Sequence, residues 1–210
     1  SSFDFNAELL LPVQIVIENF LLSDMQLHKA DFVQNLENLQ LALATEGDKL
    51  KISKLTLNAG PIAATAQGQM TLGKGFPFSL KSDWQVNADQ NRVWQGSTTI
   101  AGDINKLSFD NHLSSPFTVV LKGNLDDLQN TPRINTRADW SKIMWPIAGT
   151  TPQIKSEQGT IELAGLLDDY KITLNGQLTQ QYLPEASLSF NGKGSRDGLS
   201  IEKLELKSKT

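Results

Sequence analysis

The sequence predicts an all-β protein: an elongated antiparallel sheet with one apolar and one polar face. Three observations carry this. Apolar residues recur at every second position through most of the chain, steps rich in Gly, Asn and Asp separate these runs, and parts of the pattern return farther along.

The clearest run has Phe76, Phe78, Leu80, Ser82, Trp84 and Val86 on one parity and Pro77, Ser79, Lys81, Asp83 and Gln85 on the other, the mark of a half-buried strand. The same period of two passes through Val13/Ile15/Ile17, Leu39/Leu41/Leu43, Leu55/Leu57, Phe117/Val119/Leu121 and Ile134/Thr136/Ala138/Trp140. It continues through Ile161/Leu163, Tyr170/Ile172/Leu174 and Leu188/Phe190. Glu46-Gly47-Asp48, Leu72-Gly73-Lys74-Gly75, Asn175-Gly176, Asn191-Gly192 and Arg196-Asp197-Gly198 hold residues that accept positive φ, so each predicts a hairpin turn between antiparallel neighbours. One stretch departs from this rhythm: Met25, Leu27, Phe32, Val33 and Leu36 predict a short amphipathic helical turn within 23–38. Between Leu50/Ile52 and Leu55/Leu57 the apolar parity slips by one, which predicts a bulge, since an unabsorbed slip turns every later side chain to the wrong face.

Ile100-Ala-Gly-Asp-Ile104-Asn-Lys-Leu107, Leu121-Lys-Gly-Asn-Leu125-Asp-Asp-Leu128 and Leu163-Ala-Gly-Leu-Leu167-Asp-Asp-Tyr170 share one frame of apolar, Gly and polar positions. Leu50-Lys-Ile52-Ser-Lys-Leu55-Thr-Leu57 returns 149 residues later (50 to 199) as Leu199-Ser-Ile201-Glu-Lys-Leu204-Glu-Leu206. Repetition at two lengths favours a sheet that grows by addition, because each repeat need touch only its neighbours.

Composition narrows the function. The 210 residues carry a net charge of -4 with Lys and Arg scattered, so there is no electrostatic footprint for nucleic acid. The absence of Cys excludes disulfides and thiolate chemistry. The longest apolar stretch, Leu9 to Ile17, is broken by Pro12 and Gln14 and falls short of the roughly 18 residues a membrane span needs. The opening Ser-Ser-Phe-Asp, without an initiator Met, reads as the start of a piece cut from something longer.

No residue set predicts catalysis. Asp126-Asp127 and Asp168-Asp169 recur in the repeat frame and read as turn residues, because adjacent residues of extended chain point apart. The glycines of Gly192-Lys-Gly194-Ser-Arg-Asp-Gly198 lack the Lys-Ser/Thr ending of a phosphate loop and precede a strand. His28 and His112 stand far apart, without metal-ligand spacing. Trp84 and Trp140 fall on the apolar parity of their strands, as core or groove lining. The expectation is a non-enzyme with no cofactor and no metal, whose apolar face a second sheet, a helix, a ligand or a membrane must cover. On periodicity alone, a β-sandwich or closed barrel with that face as its core stays open.

Trp140-Ser-Lys-Ile-Met-Trp145-Pro146-Ile-Ala-Gly149, then Ser156-Glu-Gln-Gly159-Thr-Ile-Glu-Leu-Ala-Gly165, Asp169-Tyr170, Gly176, Pro184 and Gly192-Lys-Gly194 resemble the repeat unit of the TamB family, within the AsmA-like, bridge-like lipid transfer group. Leu11-Pro-Val-Gln-Ile15, Gly47-Asp48-Lys-Leu50, Ala66-Gln-Gly68 and Phe76-Pro77-Phe78-Ser-Leu80 resemble the same family's preceding elements, so the likeness spans nearly the whole chain.

The resemblance implies a β-taco, a long sheet folded into a U-shaped trough with an apolar interior, standing in the periplasm of a Gram-negative bacterium. Residues 1–210 then form one continuous trough segment: 1–49 the leading strands and the short helical turn, 50–198 one long repeat unit, and 199–210 the start of the next. Parity assigns the lining to Phe76, Phe78, Leu80, Trp84, Phe117, Val119, Leu121, Ile161, Leu163, Ile172, Leu174, Leu188 and Phe190. The implied partners are phospholipid acyl chains moving between inner and outer membranes and a TamA-like outer-membrane protein met by regions outside this fragment, as is the inner-membrane anchor. The alternative function is a chaperone-like scaffold that assists outer-membrane β-barrel assembly by pairing its strand edges with an incoming chain.

Overall fold

The computed structural model describes residues 13–29, 32–88, 92–147, 153–180 and 183–208. These residues form thirteen strands and no helix, and the strands follow one another in a single sheet in chain order, from β1 at one end to β13 at the other. The all-β, antiparallel class expected from the alternation is what forms. The chain divides into two units, 1–107 and 108–210.

The first unit carries β1 (Val16–Lys29), β2 (Phe32–Glu46), β3 (Lys49–Ala59), β4 (Ile62–Thr71), β5 (Phe78–Ala88) and β6 (Arg92–Gly102). Two-residue turns join β2 to β3 at Gly47-Asp48 and β3 to β4 at Gly60-Pro61; Gly47 at φ 60 and Gly60 at φ 56 supply the left-handed step such tight turns need. The helical turn expected within 23–38 does not form. Those residues lie in β1 and β2, paired from Val16↔Ala44 to Lys29↔Phe32. Asp24 sits at φ 55, yet the pairs on both sides of it, Ser23↔Asn38 and Met25↔Leu36, keep one register, and the odd spacing of Leu22 and Met25 is what imitates a helix. Cross-strand pairing over more than ten residues outweighs so short a helical period.

The expected bulge is present. Ala42 pairs with Lys54 and Leu43 with Ile52, so Ser53 is the extra residue, and its hydroxyl donates to the Ala42 carbonyl at 3.2 Å. On the other side, Ile52 pairs with Gly68 and Leu55 with Ala66. The bulge keeps Leu50, Ile52, Leu55 and Leu57 on one face. Deleting Ser53 leaves every apolar partner in place and is expected to change stability by less than about 1 kcal/mol. Deleting Thr56 from regular ladder makes Leu55 and Leu57 adjacent and turns one of them to the polar face, which is expected to cost about 1.5–3 kcal/mol. Urea midpoints of the two deletions, compared with the parent, check this.

The second unit carries β7 (Leu107–Ser115), β8 (Thr118–Asp126), β9 (Arg133–Trp145), β10 (Ile154–Leu166), β11 (Asp169–Gln180), β12 (Leu183–Gly194) and β13 (Leu199–Ser208). Its last hairpin repeats β2–β3 pair for pair. Leu39↔Leu57, Leu41↔Leu55, Ala42↔Lys54 and Leu43↔Ile52 return, 149 positions on, as Leu188↔Leu206, Phe190↔Leu204, Asn191↔Lys203 and Gly192↔Ile201. Glu202 is the extra residue where Ser53 was. The sequence repeat is therefore a repeat of register and bulge.

Two expected turns are strand interior instead: Asn175-Gly176 lies within β11 and Asn191-Gly192 within β12. The turn at Arg196-Asp197-Gly198 does join β12 to β13, where the Ser195 N–H donates to the Gly198 carbonyl at 2.9 Å. Of the two Asp pairs expected in turns, Asp127, at φ 53, and Asp168 lie in connections, while Asp126 ends β8 and Asp169 begins β11.

Among the described residues the buried apolar side chains are Leu36, Ala59 and Leu113, and no large side chain is fully buried. A sandwich or closed barrel buries the inner-facing positions of every strand. Neither unit does so: among the described residues no second layer lies over the apolar face.

Candidate functional site

The registers lay the apolar side chains out in rows that cross the strands. In the second unit one row runs Leu121–Ala138–Ile161–Leu174–Phe190–Leu204 through β8 to β13. A second row beside it runs Val119–Trp140–Gly159–Gly176–Leu188–Leu206, and a third runs Gly123–Thr136–Leu163–Ile172–Gly192–Ile201. In the first unit the rows include Leu22–Leu39–Leu57–Ala64–Trp84–Gly96 and Ile17–Leu43–Ile52–Gly68–Leu80–Ile100. Neighbours in a row stand about 5 Å apart, so each row is continuous at the scale of a methylene chain.

The sequence-assigned residues distribute unevenly over this face. Leu121, Ile161, Leu174 and Phe190 share one row, Leu163 pairs with Ile172, and Val119 and Leu188 belong to the row that contains Trp140. Leu80 and Trp84 lie in the first unit's rows, and Phe78 pairs with Met70 and Gly102. Phe76 lies in the connection ahead of β5, at φ 52, and Phe117 immediately precedes β8. These two are outside the ladders.

Sequence reasoning missed the glycines of the apolar face. A Cβ added to Gly159 would overlap the Trp140 indole, and one on Gly176 would stand 3.1 Å from its Cζ2. A Cβ on Gly123 would stand 2.8 Å from Cζ of Phe109, and one on Gly192 3.0 Å from Cζ of Phe190. Tyr170 occupies the corresponding space at Gly194. Aromatic rings thus lie down across glycines instead of standing off the sheet. Asn175-Gly176 and Asn191-Gly192 are paired on both sides within the sheet and so are strand, not turn. The legible signal was a glycine on apolar parity, but its partner ring is visible only once the register is known. The indole N–H groups are also placed: Trp140 Nε1 donates to Ser156 Oγ at 2.8 Å, and Trp84 Nε1 to Thr98 Oγ1 at 3.0 Å.

The opposite face is polar. Lys122–Arg137–Glu162–Thr173–Asn191–Lys203 form one row, and Asp139–Thr160–Asn175–Ser189–Glu205 the next. Arg137 donates through Nε and Nη2 to Asp139 at 2.8 and 2.7 Å and through Nη1 to Glu162 at 2.6 Å, while Thr160 Oγ1 donates to Asp139 at 2.8 Å. The guanidinium hydrogen bond, reinforced by Thr160, holds the Asp139 carboxyl below its ordinary pKa of 3.8. A depressed carboxylate contributes stability above its unfolded pKa and loses it as pH falls through the folded value, so this pair is intact at pH 5 and lost only below pH 3.8. NMR titration is expected to show Asp139 moving up toward 3.8 in Arg137→Met. Stability near neutral pH should change little, because both side chains are about half exposed.

Among the described residues no group of three or more His, Asp or Glu is placed to hold a metal, and no helix is long and apolar enough to cross a membrane. What fold and site together define is a one-faced antiparallel β protein, its apolar side chains ranked in rows on an uncovered sheet. The profile described as the TamB N-terminal domain matches residues 5–210, and the chain belongs to the TamB family. It is 22% identical over 190 residues to the translocation and assembly module subunit TamB of Haemophilus influenzae, a match that takes in 86% of this chain and 15% of that protein. The chain thus spans a small part of the length of this relative. No solved structure matches it.

Proposed function

We propose that the sheet curls into a U-shaped trough, the β-taco, whose apolar interior conducts phospholipid acyl chains between inner and outer membranes in the periplasm of a Gram-negative bacterium. Headgroups stay in water at the open side. The parent protein is anchored in the inner membrane and meets a TamA-like outer-membrane partner through regions beyond this chain. The observation that carries the reading is the set of apolar rows that no second layer covers. Each methylene transferred from water onto such a row contributes about 0.8 kcal/mol, enough over one acyl chain to hold it without a cofactor or energy input. Row follows row with similar side chains, so the energy stays nearly level along the path.

Within this reading 50–198 is one repeat unit and 199–210 opens the next, supported by the shared register and bulge of β2–β3 and β12–β13. The lining assigned from Phe76 to Phe190 stands as part of the proposal, with Ala138 and Trp140 added to it. Photocrosslinkers at Phe78 and Leu121, followed by mass analysis of the adducts, test it. Phospholipid adducts at both positions are the expected result. Capture of polypeptide there, with no lipid, overturns the conduit in favour of a scaffold for outer-membrane proteins.

A further inference from the structure

We infer that Trp84 and Trp140 are acyl-chain contact plates, one in each unit, and that Thr98 and Ser156 are the positioning residues that keep them dry. The inference rests on the acyl-chain reading above and assigns the residues that let the face accept an apolar occupant. An indole, like the Tyr170 phenol, is a large side chain of this face that carries a polar donor. While the face is wet, water satisfies that donor and no protein partner is required. Once an acyl chain lies on the ring, no acceptor comes with it, and an unmet N–H opposes binding.

Both units solve this the same way. Trp84 Nε1 donates across to Thr98 on β6, and Trp140 Nε1 to Ser156 on β10. Ser156 is 7% exposed, so its hydroxyl is committed to the ring and not to solvent. The neighbours agree with the hydrogen bonds. Trp84 pairs with Ala64 and Gly96, small residues on both sides. Trp140 lies over Gly159 and reaches Gly176, so its ring is low on the sheet and presents a flat face. Both indoles remain only partly buried, which a ring serving as core filler would not be. Flat rings with hidden donors suit a linear saturated or unsaturated chain and offer nothing to a polar ligand.

The test uses the full 210-residue chain in single-Trp forms that retain Trp84, Trp140 or the exposed Trp145, the other tryptophans being changed to Phe. Phosphatidylglycerol brominated at mid-chain is presented in vesicles, with unbrominated lipid as control. Bromine quenching of Trp84 and Trp140 by at least about half, and clearly less of Trp145, is expected. Ser156→Ala is expected to weaken quenching of Trp140 roughly tenfold in apparent affinity, and Thr98→Ala to do the same for Trp84, while Ser156→Thr restores it. Far-UV circular dichroism checks that each variant is folded, and should Ser156→Ala unfold, quenching in the single-Trp forms still decides. Lipid that binds, by phosphorus count, without quenching either indole overturns the inference and leaves the conduit standing, as does a folded Ser156→Ala that quenches like its parent. No lipid bound by any form overturns the conduit itself, and the inference with it.

Discussion

Leu174→Asp stops lipid passage in a sheet that still folds: this is the largest effect expected. Leu174 sits mid-row between Ile161 and Phe190, and it is only half-buried, so in the empty protein a carboxylate there keeps its water. An acyl chain must strip that water away. The penalty for an isolated buried charge would be very large, but the group escapes by taking up a proton. From an ordinary aspartate pKa near 4, protonation at pH 7 costs roughly 4 kcal/mol, or about a thousandfold in occupancy of that point of the row. At pH 5 the same step costs only about 1.5 kcal/mol, so the block should relax to about tenfold. Leu121→Asp, at the head of the same row, is expected to behave alike. Lipid capture by a photocrosslinker at Leu204, beyond both positions, reads the block at the two pH values. Undiminished capture from a folded Leu174→Asp would count against the rows as a path.

The second large effect concerns the sheet itself. In Gly159→Ala the new methyl occupies the space of the Trp140 indole, which has strand beneath it and cannot move down. The ring must lift, surrendering its hydrogen bond to Ser156 and its cover over Gly176. A lost partner at about 1 kcal/mol and an overpacked site at about 1–3 kcal/mol add to an expected loss of roughly 2–4 kcal/mol. The urea midpoint should fall with an unchanged slope, and the near-UV tryptophan band should change. Gly198→Ala is the control: nothing stands within 4 Å of its Cβ, and its stability should match the parent within about 0.5 kcal/mol. Equal midpoints for the two variants would show that Trp140 does not depend on its glycine.

Where the physics is local, the sequence is a good guide to this protein. A period of two needs only neighbouring residues, so the strand class, the turn at Gly47-Asp48 and the bulge at Ser53 could all be read from it. The errors arise where a distant partner decides. Leu22 and Met25, and Phe32, Val33 and Leu36, fall on both parities, so β1 and β2 looked helical until their pairing was known. Gly176 and Gly192 looked like turn residues because what crowds them is distant in sequence: the Trp140 ring, two strands away, at Gly176, and the Ser200 carbonyl of β13 at Gly192. Parity gave the rows of Leu121, Ile161, Leu174 and Phe190, yet it extended through Phe76 and Phe117, which lie in connections, because alternation does not reveal where a strand begins. Ser156 and Thr98 were invisible as site residues, since a small hydroxyl acquires its role only from the ring placed beside it.

Since β13 matches β3 residue for residue and bulge for bulge, a polypeptide spliced directly from residue 49 to residue 199 closes the β2 hairpin as before. If 50–198 is the repeat unit proposed above, the excised block is a cassette, and duplication or loss of whole cassettes would change the length of such a protein while every remaining side chain keeps the face it had.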